Sequence, residues 1–161
     1  MDNSFIAKIL EKRKMLNIEQ EVNIYHLLTQ TILLKIPGDV VELGCNDGRT
    51  AAIIQKTLDE YKCKKNIYLY DSFQGLPRKD KKDGRTAFKE GWCAKPQKSV
   101  FETFKKFNLS NKLPKIFPGW FKDTIPNKLP KKISFAHLDG DFYSSIKESL
   151  NAIYPRLSKG A

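Results

Sequence analysis

Residues 40–51 read Val40-Val-Glu-Leu-Gly-Cys-Asn-Asp-Gly-Arg-Thr-Ala51. An apolar run, Val40, Val41 and Leu43, leads into Gly44. Gly48 follows, and then a helix-forming stretch, residues 51–61. That is a strand, a tight turn and a helix N-terminus. Glycine can take φ > 0 and lets a ligand approach the backbone closely. The free N–H groups and positive dipole end of the following helix favour an anionic group, a carboxylate or a phosphate. The stretch has the form of a nucleotide-type cofactor loop, the plain alternative being a βα turn with no ligand.

A dinucleotide loop reads G-x-G-x-x-G. Here Asn46 takes the middle position, which leaves a pyrophosphate less room. A P-loop is excluded because no G-K-[ST] follows. What remains is acidic-x-Gly-x-x-x-Gly, with Glu42 at the strand end. A carboxylate there accepts a hydrogen bond from an ammonium group and repels a phosphate. That favours an amino-acid-bearing nucleoside over a dinucleotide.

The chain of 161 residues suits one domain with a real core. Its 40% hydrophobic and 29% charged residues read as globular. The net charge of +11 raises nucleic acid, an acidic membrane face or an anionic substrate as partners. The lysines, however, scatter through loops and helix faces, with no aromatic residues interleaved as a stacking platform. A solvated basic surface is the expectation, with neither nucleic acid nor membrane as partner. Cys45, Cys63 and Cys93 form no C-x-x-C, so neither a disulfide framework nor a zinc site is expected. A reducing cytoplasm fits, and residues 1–4 lack signal-peptide form. The most apolar window, residues 24–36, is broken by His26, Thr29, Gln30, Thr31 and Lys35, so it does not span a bilayer.

Residues 4–35 read as two helices broken near Asn17. Phe5, Ile6, Ile9 and Leu10 mark one face; Val22, Tyr25, Leu28 and Ile32 mark another. Pro37-Gly38 ends this region, giving N-terminal helices over 1–36 and the cofactor domain over 37–161. Residues 50–61 form the helix after the loop, with Ala52, Ile53, Ile54 and Leu58 facing in. Residues 66–70 are the second strand. It ends at Asp71, farther from Gly44 than the usual offset of about 20. A carboxylate there can accept both ribose hydroxyls, or simply cap a turn. Residues 72–96 are long, polar and glycine-bearing, the form of a lid. Residues 97–108 are helical, with Val100, Phe101, Phe104 and Phe107 inward. Ile116-Phe117 is a third strand, followed by Gly119, Trp120 and Phe121. That aromatic pair can sandwich an adenine or pack in the core. Residues 132–138 form the fourth strand. His137 and Asp139 share a face, and Asp139 stands at the strand's carboxyl end, where open α/β sheets bind ligands. Asp139 and Asp141 with Gly140 between them suit a hard divalent cation. Asp141 is read as the cap of a helix over 142–157 and Asp139 as the ligand.

Four motifs then appear in order: Val41-Glu-Leu-Gly-Cys-Asn-Asp-Gly-Arg-Thr50, Tyr70-Asp-Ser-Phe-Gln-Gly-Leu-Pro77, Pro118-Gly-Trp-Phe-Lys-Asp-Thr-Ile-Pro126 and His137-Leu-Asp-Gly-Asp-Phe-Tyr-Ser-Ser145. With them the chain resembles the class I S-adenosylmethionine methyltransferases. More narrowly, it resembles the macrocin O-methyltransferase family of sugar methyltransferases. The first motif is generic to methyltransferases; the second and fourth together are specific. The resemblance implies a Rossmann-like three-layer α/β fold with parallel strand order 3-2-1-4. It also implies S-adenosyl-L-methionine as cofactor, Mg²⁺, and a small hydroxylated substrate such as a sugar or glycoside. By position, Glu42, Gly44 and Gly48 hold the methionine moiety, with Asn46 in the same loop and Thr50 near the carboxylate. Asp71 takes the ribose, with Ser72 beside it. Gly119, Trp120 and Phe121 border the adenine. Asp139 binds the metal and helps deprotonate the acceptor hydroxyl, as metals do for water.

In the family a further strand follows residues 157–161 directly, and its Asp-Asp pair completes the metal site. The expectation is therefore a C-terminally truncated chain whose fourth strand is an apolar edge. That edge points to self-association, and the chain alone is expected to transfer methyl groups weakly or not at all. The rival readings are an inactive remnant of the fold and a basic nucleic-acid-binding module built on it.

Overall fold

The computed structural model describes residues 18–161; the face marked by Phe5, Ile6, Ile9 and Leu10, and the break at Asn17, lie outside them. The described elements run α1 (Ile18–Leu33), β1 (Asp39–Leu43), α2 (Arg49–Glu60), β2 (Ile67–Asp71), α3 (Lys98–Lys106), β3 (Lys115–Pro118), α4 (Phe121–Lys128), β4 (Ile133–Leu138) and α5 (Tyr143–Ile153). One-turn 3₁₀ helices lie at Lys81–Asp83 and Tyr154–Arg156. The four strands form one parallel sheet in the order β3-β2-β1-β4.

Side chains alternate along each strand, so a strand covered on both faces reads as an unbroken apolar run. Val40 enters one layer with Ile67 and Leu69, packed under Ile24 and Leu28 of α1, Ile54 and Leu58 of α2, and Val100 and Phe104 of α3. Val41 and Leu43 enter the other with Tyr70, against Ile125 of α4 and Ile153 of α5. The result is a three-layer α/β fold, helices on both faces of the sheet.

Three local readings need correction. On α1 the buried positions are Glu21, Ile24, Leu28 and Thr31, while Val22 is 53% exposed. The helix turns toward the sheet by the face carrying Glu21 because that carboxylate binds Arg49 of α2 at 2.7 Å. On α3, Phe101 is 40% exposed; Val100 and Phe104 alone are fully buried. Residues 121–128, left without an element by the sequence, form α4 with Pro126 inside it. A proline within a helix removes a backbone donor and masks the helical signal.

β4 carries an irregularity that matters for the site. Asp39 pairs with Ile133, but Val40 pairs with Phe135, so Ser134 is an extra residue. Its hydroxyl is satisfied by the carbonyls of Gly38 and Asp39, at 3.1 and 3.2 Å. The bulge moves every later residue of β4 one step along β1. Beyond β4, Leu157 forms a parallel bridge with Ile133, and Ser158 N–H donates to the Ile133 carbonyl at 2.9 Å. The β4 edge, expected to be bare, is therefore covered at its first residue.

Among the described residues no helix is long and apolar enough to cross a membrane. Several lysines lie over aromatic rings: Lys82 and Lys147 over Tyr143, Lys115 over Tyr68, Lys128 over Phe117. They occupy separate places, the α5 start and the β3 edge, and each covers a ring of its own chain.

Candidate functional site

The carboxyl ends of the four strands are laced together by backbone bonds. Gly44 N–H donates to the Tyr70 carbonyl at 2.8 Å, Asp139 N–H to that of Leu43 at 2.8 Å, and Gly119 N–H to that of Asp71 at 2.9 Å. The loop between β1 and α2 therefore sits on the same rim as the tips of β2, β3 and β4.

Gly44 has φ 93°, and a Cβ there would lie 2.1 Å from the Asp139 carbonyl oxygen. Its bareness serves the close approach of β4 as well as any ligand. Gly48, at φ 77°, is the N-cap of α2 without a side-chain cap, and a Cβ would strike Val100 at 2.8 Å. Thr50, in the first turn of α2, is buried. Between the glycines, Asn46 takes a left-handed conformation, φ 47°. Its backbone N–H donates to Asp71 Oδ2 at 2.8 Å. Phe73 N–H donates to the other oxygen, Oδ1, at 2.7 Å. Asp71 thus ties the glycine loop to β2, and a carboxylate has about four acceptor sites, so capacity remains for hydroxyl donors. Ser72 is engaged in a local turn, accepting from Gln74 N–H and donating to the Gly75 carbonyl. Trp120 is half-buried at the N-cap of α4, whereas Phe121 packs against the cluster of Val41, Leu43 and Tyr70.

Glu42 is 1% exposed. The bulge at Ser134 sets His137 opposite it, and His137 Nδ1 lies 3.3 Å from Glu42 Oε1. Glu42 Oε2 has no hydrogen-bond partner among the described residues. Burial pushes the Glu42 carboxyl up; the His137 hydrogen bond and charge pull it back in part, and Asp139 and Asp71 push the same way as burial. For His137, burial alone would lower the pKa, but the Glu42 hydrogen bond and charge, aided by Asp139, outweigh it and raise it. The sequence placed His137 only on the face of Asp139; its pairing with Glu42 depends on the bulge.

Asp139 is exposed on the rim. Asp141 is not the cap of α5. It takes φ 54°, Phe142 is the N-cap without a side-chain bond, and α5 ends at Ile153. The carboxylate that meets α5 is Asp83 of the 72–96 segment, whose Oδ1 accepts from Tyr143 N–H at 2.6 Å. Burial, then the Asp139 charge, raises the Asp141 pKa. The same segment reaches the glycine loop, where Asn46 Nδ2 donates to the Cys93 carbonyl at 2.6 Å. Among the described residues no group of three or more His, Cys, Asp or Glu is placed to hold a metal ion. Beside the expected Mg²⁺ ligand Asp139 stands Asp141, and no third such side chain among the described residues is placed to complete the set. These residues do not make a magnesium site.

The carboxyl rim of an open parallel sheet is where α/β folds of this kind bind ligands, and comparison with known proteins narrows the reading. The family model described as Macrocin-O-methyltransferase (TylF) matches residues 9–161. The chain is 28% identical over 153 residues to an 8-demethyl-8-(2,3-dimethoxy-alpha-L-rhamnosyl)-tetracenomycin-C 4'-O-methyltransferase of Streptomyces olivaceus, covering 91% of this chain and 59% of that protein. It is 27% identical over 155 residues to the Mycinamicin III 3''-O-methyltransferase of Micromonospora griseorubida, covering 91% of this chain and 61% of that one. The chain thus spans about three fifths of the length of these curated relatives. The solved O-methyltransferase NovP superposes with a TM-score of 0.78 at 26% identity, over 90% of this chain and 63% of that one. The calicheamicin methyltransferase CalS11 shares the fold, with a TM-score of 0.73 at 21% identity over 98% of this chain and 73% of that one. The family model accounts for nearly the whole sequence, and the chain belongs to the macrocin O-methyltransferase family.

Proposed function

We propose that the chain binds S-adenosyl-L-methionine and serves an O-methyltransferase acting on a hydroxyl of a sugar or glycoside. One observation carries this reading: Glu42, the Gly44–Gly48 loop and Asp71 share one rim, with Asp71 hydrogen-bonded to the loop itself. Glu42 receives the ammonium of the methionine moiety. Gly44, Asn46 and Gly48 line its backbone, and Thr50 with the first turn of α2 receives its carboxylate. Asp71 accepts the ribose hydroxyls beside Ser72, and Gly119, Trp120 and the edge of Phe121 border the adenine. When bound, the cofactor would supply a sulfonium-borne methyl group, whose transfer to the acceptor oxygen would break the carbon–sulfur bond and leave a neutral thioether. The hydroxyl proton passes to Asp139, exposed on the same rim, as general base. Holding the two reactants in line supplies much of the rate.

Names of the relatives support a glycosidic acceptor, since they describe methylation of decorated antibiotics. Three free cysteines suit a reducing cytoplasm. Calorimetric titration with S-adenosylhomocysteine tests the reading. Micromolar binding is expected, with Asp71→Ala weakening it at least about tenfold, or 1.4 kcal/mol. Equal affinity in the variant would defeat the assignment.

A further inference from the structure

We propose that His137 is a positioning residue for the cofactor's amino group: it holds one oxygen of Glu42 so that the other is kept for a ligand ammonium. This rests on the nucleoside reading above and concerns the same site.

Glu42 is buried in the middle of the sheet, where a carboxylate oxygen without a donor is unfavourable. Its two oxygens are treated differently. Oε1 lies 3.3 Å from His137 Nδ1, while Oε2 is buried without a partner among the described residues. An ionised carboxylate only accepts, so Nδ1–H is the donor. His137 is itself only 21% exposed, held by the β1–β4 ladder in register with Glu42. That register exists because Ser134 is bulged; continued from Asp39–Ile133 without the extra residue, Ala136 would face Glu42. The bulge is in turn held by the Ser134 hydroxyl, whose one proton is shared between the Gly38 and Asp39 carbonyls. So a built chain of contacts, Ser134 to register to His137 to Oε1, ends on an unsatisfied oxygen beside the glycine loop. The group that satisfies Oε2 is a hydrogen-bond donor that arrives with the ligand. A primary ammonium next to a carboxylate, as in an α-amino acid, matches both Oε2 and the first turn of α2, whose N-cap Gly48 brings no side chain and where, among the described residues, Asp47 Oδ1 accepts only from Arg49 N–H, at 3.2 Å.

Two ligands separate positioning from general support of the fold. S-adenosylhomocysteine carries the amino-acid moiety; 5′-methylthioadenosine carries the same nucleoside without it. The 161-residue protein and its His137→Ala and His137→Asn variants are titrated with each, after thermal melts show that they fold. His137→Ala is expected to weaken S-adenosylhomocysteine about tenfold and methylthioadenosine by less than about twofold. His137→Asn keeps an N–H donor near the Nδ1 position and is expected to recover most of the loss. Equal weakening of both ligands, or no change in either, would overturn the positioning role while leaving the nucleoside site standing. Failure of the unmodified protein to bind either ligand would remove the site and this role with it. Should the alanine variant not fold, the asparagine variant decides: near-normal selectivity for S-adenosylhomocysteine supports the role, and lost selectivity overturns it.

Discussion

Glu42 illustrates how a residue placed for binding weakens the fold that holds it. A carboxyl whose pKa rises on folding holds its proton more tightly in the native state. Between its ordinary value of 4.5 and the raised folded value, folding takes up a proton, so stability falls as pH rises; above that window the cost of the buried charge is carried in full. His137, also raised, stabilises below 6.5 and loses that contribution as pH rises through its folded value. Both effects run the same way. Glu42→Gln is therefore expected to raise Tm at pH 8 by about 2–4 °C, roughly 1 kcal/mol for a domain of this size, and to flatten the pH dependence. The same variant is expected to bind S-adenosylhomocysteine at least about tenfold more weakly. Differential scanning calorimetry at pH 5.5 and 8 with parallel titrations checks both; a lower Tm at pH 8 would contradict the account. At this scale the sequence was informative. Glu42 stood out as an acidic residue closing an apolar strand, and Asp71 as an acidic residue at the next strand tip. Asp141 was misread because an aspartate before a helix ordinarily caps it, whereas here a distant aspartate meets that N-terminus.

Among the elements, the 72–96 segment depends most on tertiary contacts. Its two arms pair through Leu76 N–H to the Trp92 carbonyl and Gly91 N–H to the Leu76 carbonyl. At one point it meets the glycine loop, through Asn46 and Cys93. At another, the Lys81–Asp83 turn meets α5 through Asp83 and through Lys82, whose ammonium lies 4.7 Å from the Tyr143 ring centre. The turn has its own capping box, with Asp80 accepting from Lys82 N–H and Asp83 accepting from Asp80 N–H. Asp83→Ala removes the α5 contact and half of the capping box together. Trypsin is expected to cut the segment near Lys79, Lys81 and Lys82 several-fold faster, while global stability falls by no more than about 1 kcal/mol. Unchanged cleavage would show that Asp83 does not hold the segment. Glycines and length marked these residues as a lid-like loop, but nothing local in the sequence pairs Asp83 with Tyr143, 60 positions away. For the same reason the buried face of α1 was mistaken: periodicity located a helix, and an ion pair from Glu21 to Arg49 oriented it.

Over the whole molecule, parallel strands in the order β3-β2-β1-β4 are joined by crossovers through helices, which cover both faces of the sheet. The net charge of +11 is borne by a surface on which several lysines lie across aromatic rings, and it bears on solubility and partners more than on fold. The last residues fasten the molecule across its sequence. Ser158 N–H bonds the Ile133 carbonyl at 2.9 Å, the Ser158 hydroxyl bonds that of Pro37 at 2.7 Å, and Gly160 packs on Ile36. Deleting residues 158–161 is expected to lower stability by about 1–2 kcal/mol with little change in the denaturant slope. Urea unfolding followed by tryptophan fluorescence measures it, and an unaltered midpoint would show that these contacts contribute nothing.

By itself the sequence determined the strands and the residues at their carboxyl ends, Glu42, Gly44, Asp71 and Asp139, while the strand order came from the family resemblance. Alternation, glycine spacing and acidic strand tips are properties of short stretches. Only the tertiary structure decided which residue faces Glu42. A period of two sets the faces within a strand, but pairing sets the register between strands, and one extra residue at Ser134 brings His137 rather than Ala136 to the buried carboxylate.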